Sequence, residues 1–172
     1  MLSSSLFILR IVIGLIFVAH GSQKLFGWFG GPGMERHTGL MKKLHLHPAG
    51  FWAWTSALAE FFGGWGLVIG FLTPFAATAV IGSMLVAILK VHRPNGLWNQ
   101  NGGYEWPLVL AVNGLVLGLL GPGDFAVDTA LGLTLPEPLT FGVTFVIMVV
   151  VVSWAIISSS TEEEGAQREK MA

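Results

Sequence analysis

No cysteine occurs anywhere in the chain. That excludes disulfides, thiol redox chemistry, iron–sulfur clusters held by Cys, and zinc or haem ligated through thiolate. Any electron carrier must therefore be diffusible or bound by other groups. Charge is scarce too. Only 11% of the 172 residues are Asp, Glu, Lys or Arg, against about 25% in a soluble domain. The deficit points to lipid as the solvent. A net charge of −1 gives a nucleic-acid partner no electrostatic support, and none is expected.

What replaces charge is apolar bulk. Hydrophobic residues make up 53% of the chain, and the mean hydropathy is +0.69. Twenty-three glycines and seven tryptophans suit close helix packing and anchoring at a membrane interface. Five apolar runs follow one another, over residues 2–26, 51–72, 75–89, 106–120 and 139–157. The third and fourth fall short of the ~20 residues that a straight helix needs to cross the hydrocarbon; Pro74, Lys90 and Trp106 can supply the missing turn. A cleaved signal peptide is not expected, because Arg10 sits inside the first run and no A-x-A-like site follows.

The connections are polar. In residues 27–50, Gly27, Gly30, Gly31, Pro32 and Gly33 break the helix. Helical periodicity then resumes, with Met34, Leu40, Met41 and Leu44 on one face and Arg36, Lys42 and Lys43 off it. This predicts a short helix lying in the interface. Residues 90–105 form a second polar loop, and Gly121-Pro122-Gly123-Asp124 ends the fourth run. The tail over 159–172 is charged and expected to be disordered. Five spans put eight of the nine lysines and arginines on one side. The positive-inside rule then sets the N-terminus outside and the C-terminus in the cytoplasm. The same basic loops, 27–50 and 90–105, could instead gather charge to dock a protein partner.

Ionisable groups inside spans need a partner or a purpose. His20, Gln23 and Lys24 stand three and four residues apart, on one helix face. Histidine exchanges a proton near pH 7, lysine offers a cation to an oxyanion or headgroup phosphate, and an amide can meet a carbonyl. A quinone needs such a set beside an apolar slot; the plainer reading is a histidine satisfied within the bundle. Glu60 lies near the middle of the second run, on a small-residue stripe with Ser56, Gly63 and Gly64. It either serves a ligand or a proton, or makes a structural hydrogen bond to Asn113 or His20. Glu105, beside Tyr104, is either an interfacial anchor or part of a lid over the His20–Lys24 end. Arg10 is expected to pair with a carboxylate after the fourth span, Asp128 before Asp124, as a structural clamp. His37, His45 and His47 could ligate zinc or copper; without acidic or thiolate support they read as interface residues, and no metal is expected.

Taken in order, several elements resemble the DoxX family of small bacterial and archaeal membrane proteins. They are Leu9-Arg10 with Gly14, then Phe17 with His20-Gly21 and Gln23-Lys24-Leu25-Phe26-Gly27, and Gly30-Gly31. Ala59-Glu60-Phe61 with Gly63-Gly64, Pro74, Asn101-Gly102-Gly103 with Glu105, and Gly121-Pro122-Gly123 with Asp128 complete the set. The likeness covers about residues 5–130. It implies a four-helix membrane core over 1–130, to which this chain adds a fifth C-terminal transmembrane helix within 131–158 and the tail. The fold class is thus an all-α polytopic membrane helix bundle with an interfacial helix in the first loop. The family takes its name from a subunit of a thiosulfate:quinone oxidoreductase, and other members are linked with oxidative-stress complexes. The resemblance therefore implies a multi-pass protein of a bacterial or archaeal plasma membrane, serving quinone-linked redox chemistry as a subunit or accessory factor. His20, Gln23, Lys24, Glu60, Asn113 and Glu105 would line the ligand site, and quinone would be the cofactor. Whether the chain is itself catalytic stays open. So do two alternatives: a membrane scaffold for a partner enzyme, and a protein that binds a small solute or lipid. Phe125-Ala126-Val127 departs from the family pattern in lacking a serine before Asp128.

Overall fold

A computed structural model describes residues 1–133 and 135–171, with the side chains of Glu137 and 161–171 outside that description. Helix α1, Leu2–Phe26, contains no proline and ends where Gly27 turns left-handed at φ 71° and its N–H reaches Gln23 O. The interfacial helix is α2, Gly33–Lys43. Helix α3, Ala49–Ile69, stops at Gly70, also left-handed. Four residues later Pro74 stands in the first turn of α4, Thr73–Val86, where its fixed φ and missing N–H suit a helix start. Helix α5 is Glu105–Leu120, α6 is the short Val127–Ala130, and α7 is Glu137–Met171.

The five expected spans correspond to α1, α3, α4, α5 and α7. Among the described residues, three stretches are long and apolar enough to cross a membrane: Leu2–Phe26, Thr73–Asn95 and Pro138–Ser160. The third expected span, 75–89, is longer than its apolar run because α4 continues through a π-helical turn, Ala87–His92. Helix α3 is about 32 Å long at 1.5 Å per residue, but Glu60 and three tryptophans lower its hydropathy. Helix α5 is only about 24 Å long. Their outward residues, such as Phe62, Trp65, Val112 and Leu119, are nonetheless apolar and exposed, a surface that lipid solvates and water does not. The tail expected to be disordered lies largely outside the described side chains. Its backbone continues α7 to Met171, through residues such as Ala166, Gln167 and Lys170 that have good helix propensity.

The most extensive pairing joins α1 to α3. A Cβ on Gly64 would lie 2.6 Å from the Val18 nitrogen, and one on Gly21 would lie 2.6 Å from the Phe61 nitrogen. The backbones touch because nothing stands between them, which is how small residues drive helix association in lipid. Gly21→Leu should therefore remove most of the monodisperse protein recovered in detergent; recovery at the normal level would mean the seam can open without loss. Helix α4 sits centrally, against α3, α5 and α7, and buries Ala77, Val80 and Ile81. On its α7 side, Thr78 and Thr144 hydroxyls meet at 2.9 Å. Phe17, Leu67, Val80 and Leu117 are wholly buried and form the centre of the core.

Candidate functional site

The buried polar groups separate to the two ends of the bundle. At one end Arg10, 0% exposed, donates from Nη2 to the Phe125 carbonyl. Its guanidinium occupies the space that a side chain at Gly70 would need. The expected direct pair with Asp128 is not the contact made. Asp128 instead accepts from Leu72 N at 2.8 Å, Thr73 N at 3.1 Å and Thr73 Oγ1 at 3.2 Å. The carboxylate is spent on the start of α4, so the clamp from α1 closes on a carbonyl three residues earlier. Asp124 accepts from Ser3 Oγ at 2.5 Å.

At the other end, loops 27–50 and 90–105 enclose a cavity of about 480 Å³. Its polar centre is a carboxylate where three helices meet. Lys24 of α1 donates from Nζ to Glu60 Oε1 of α3 at 2.6 Å, and Ser83 of α4 donates to the same oxygen at 2.5 Å. This is the one ion pair within 4 Å among the described residues. Glu60 Oε2 is buried and has no hydrogen-bond partner. Both donors crowd one oxygen and leave the second without a partner among the described residues. A buried polar atom without a partner is uncommon and calls for an explanation.

His20 and Gln23 line the same cavity, as their helical spacing with Lys24 requires. Glu60, however, bonds neither Asn113 nor His20, the partners expected for a purely structural role. The Asn113 amide donates to Val109 O one turn back on its own helix, at 2.8 Å, and Asn113 is not on the cavity wall. Glu105 is not on the wall either. Its Oε2 accepts from Asn99 N at 3.0 Å and so fixes the loop that carries Asn99 and Gly103, which are on the wall. Of the six expected ligand residues, four therefore converge.

Three groups were not anticipated for the site. Ser83 reads in the sequence as a packing residue beside Gly82, and only the rotation of α4 reveals its role. His92 is brought to the wall by the π-helical turn and meets Gly102 O through Nδ1 at 2.7 Å. His37, expected at the interface, is buried against Ser56 Oγ at 2.8 Å. Ser56 gives its own proton to Ala53 O, so His37 Nε2 is the donor and Nδ1 carries the lone pair.

Burial first, then the positive charge of Lys24, pushes His37 from the usual 6.5 down to about 4, against the opposite pull of Glu60. The folded state thus keeps the ring neutral. The unfolded state takes up a proton first as pH falls below 6.5, so the stabilisation is complete above 6.5 and declines between 6.5 and 4. Limited proteolysis within 33–43 should accelerate on going from pH 7 to pH 5 in wild type and should change little in His37→Gln. An unchanged rate in wild type would show that α2 docks without this ring.

The family model described as DoxX matches residues 5–93, a stretch that includes Lys24, His37, Glu60 and Ser83. No curated protein and no solved structure matches the chain.

Proposed function

Because the chain belongs to the DoxX family of small membrane proteins, we propose that it is an integral membrane subunit or accessory protein of a quinone-linked redox system, of the thiosulfate:quinone oxidoreductase or oxidative-stress kind. The observation that carries this reading is a cavity of ligand size whose wall includes Glu60, a carboxylate with one oxygen buried and unpartnered; the cavity's volume lies within the ~300–1,000 Å³ of ordinary small-molecule sites. A quinone supplies two-electron carrier chemistry coupled to protons. The residues present suit its head group. Gln23 offers an amide donor to a quinone carbonyl, His20 an imidazole that can donate or accept, and the Glu60 carboxylate, held in place by Lys24 and Ser83, an acceptor for a hydroxyl of the reduced quinol. The Lys24–Glu60 pair cancels in charge and favours a neutral ligand over an anion. Electrons would come from a partner protein, since no thiol is present. We place the cavity end and the basic loops in the cytoplasm, with the N-terminus outside; a reporter fused after Ala172 and active only in the periplasm would overturn that orientation.

Lys42 and Lys43 are exposed on α2, beside the cavity rather than in it, and this favours a second reading, a scaffold that docks a partner enzyme. Mass spectrometry of protein purified with its native lipids separates the two. Co-purified quinone that is lost in His20→Ala or Gln23→Ala supports the first. A stoichiometric partner with no small molecule supports the second, and phospholipid in place of quinone points to lipid binding.

A further inference from the structure

A second cavity, of about 350 Å³, lies between α3, α4 and α7. It shares four wall residues with the first: Met41, Ser56, Ser83 and Val86. Ser83 is the hinge between them, since its hydroxyl reaches Glu60 on the polar side. The second space is apolar in effect as well as in composition. Thr78 and Thr144, two of the five hydroxyls along its wall, are consumed by each other and by Pro74 O, Thr140 O and Phe141 O. Ser56 is consumed by Ala53 and His37. Of the wall hydroxyls only that of the exposed Thr55 is left without a hydrogen bond among the described residues, and a site so poor in free polar groups is one that hydrocarbon fills. Its wall follows α4 from Val86 to Phe75, about 16 Å at 1.5 Å per residue. The outer side is closed by Ile147, Met148 and Val151 of α7. That helix is the element this chain adds to the four-helix core.

We propose that the two cavities form one bent site for a quinone carrying a hydrocarbon tail: the head beside Glu60 and Lys24, the tail along α4 under α7. This rests on the quinone reading of the polar cavity and names which members of that class fit. A tail in this position also gives α7 a function, as the wall that holds it.

The test uses the full chain in detergent and two probes, 2,3-dimethoxy-5-methyl-1,4-benzoquinone without a tail and its decyl derivative. Binding is read by quenching of tryptophan fluorescence, since Trp106 lines the first cavity and Trp52 the second. The decyl quinone should bind wild type at least about tenfold more tightly, a modest fraction of what burying its methylenes can contribute. Val151→Phe fills the slot from α7. Gly82→Leu fills it from α4, where an added Cβ meets only the flexible Met148 side chain, at 3.0 Å. Each should remove the decyl advantage and leave affinity for the tailless probe within about twofold; size-exclusion profiles matching wild type confirm folding, and one folded variant suffices. Comparison at equal micelle concentration cancels partitioning of the decyl chain. A decyl advantage that survives the folded variants, or equal binding of both probes to wild type, overturns the tail slot alone. Failure of both probes to bind wild type overturns the quinone reading, and this inference with it.

Discussion

Lys24→Met should destabilise the bundle by about 3–5 kcal/mol, the penalty typical of removing one partner from a buried ion pair. Glu60 is 1% exposed and would keep only the Ser83 hydroxyl as a donor. The reverse change should cost less. Lys24 retains 21% side-chain exposure, so in Glu60→Leu its ammonium can follow its apolar stem toward the headgroups, and the unpartnered Oε2 is removed as well. The double variant Lys24→Met/Glu60→Leu should recover most of the loss, because neither charge of the pair is left without its partner. Reversible unfolding in mixed detergent gives all four values of the cycle. Equal costs for the two single variants would contradict the asymmetry of exposure. The double variant also separates architecture from ligand binding: it should be nearly as stable as wild type and yet retain no quinone, since the acceptor and its cation are both gone.

The fold could be read from the sequence wherever a single helix decides the matter. Hydropathy marks five helices, and the glycine-proline break after Phe26 isolates α2, because each signal is local. The stripe of His20, Gln23 and Lys24 follows from helical geometry alone, and Glu60 is conspicuous as a carboxylate in an apolar run. What is not legible is how one helix is rotated against another. The glycine seam of Gly14, Gly21 and Gly64 sets the rotation of α1 on α3, and that rotation decides that Lys24, not His20, reaches Glu60. The same ignorance misplaces Asn113: its depth in α5 suits the site, but its face does not, and the amide is satisfied within its own helix. Glu105 fails for another reason, since the loop claims its carboxylate for Asn99 N. The π-helical turn that delivers His92 leaves no mark in composition. Arg10 illustrates a partial success. Its burial and its tie to the 121–128 segment follow from the expense of a charge in a span, while the choice of carbonyl over carboxylate depends on Asp128 being needed at α4.

That need carries the second large effect. Asp128→Ala should lower stability by several kcal/mol, given about 1–3 kcal/mol for each buried group left unsatisfied. Asp128 is 2% exposed, and its two oxygens hold the N–H groups of Leu72 and Thr73 and the Thr73 hydroxyl. These are the unpaired donors at the start of α4, which a helix of this length cannot satisfy by itself. The capping group comes from α6, so one side chain joins the α3–α4 turn to the end of α5. Removing it also strips the negative charge within electrostatic reach of Arg10, whose Nε and Nη1 are already buried without partners. Asp128→Asn, which keeps one acceptor oxygen and the volume, should lose less than Asp128→Ala. Arg10→Met in the Asp128→Ala background should restore part of the loss, because the stranded cation goes with it. Folded yield and the unfolding midpoint in detergent measure all three. The cavity lies at the opposite end of the bundle, so whatever fraction of Asp128→Asn folds should bind quinone as wild type does. Normal yield with lost quinone would instead place Arg10 and Asp128 in the functional site and reverse the division between the two ends of the molecule.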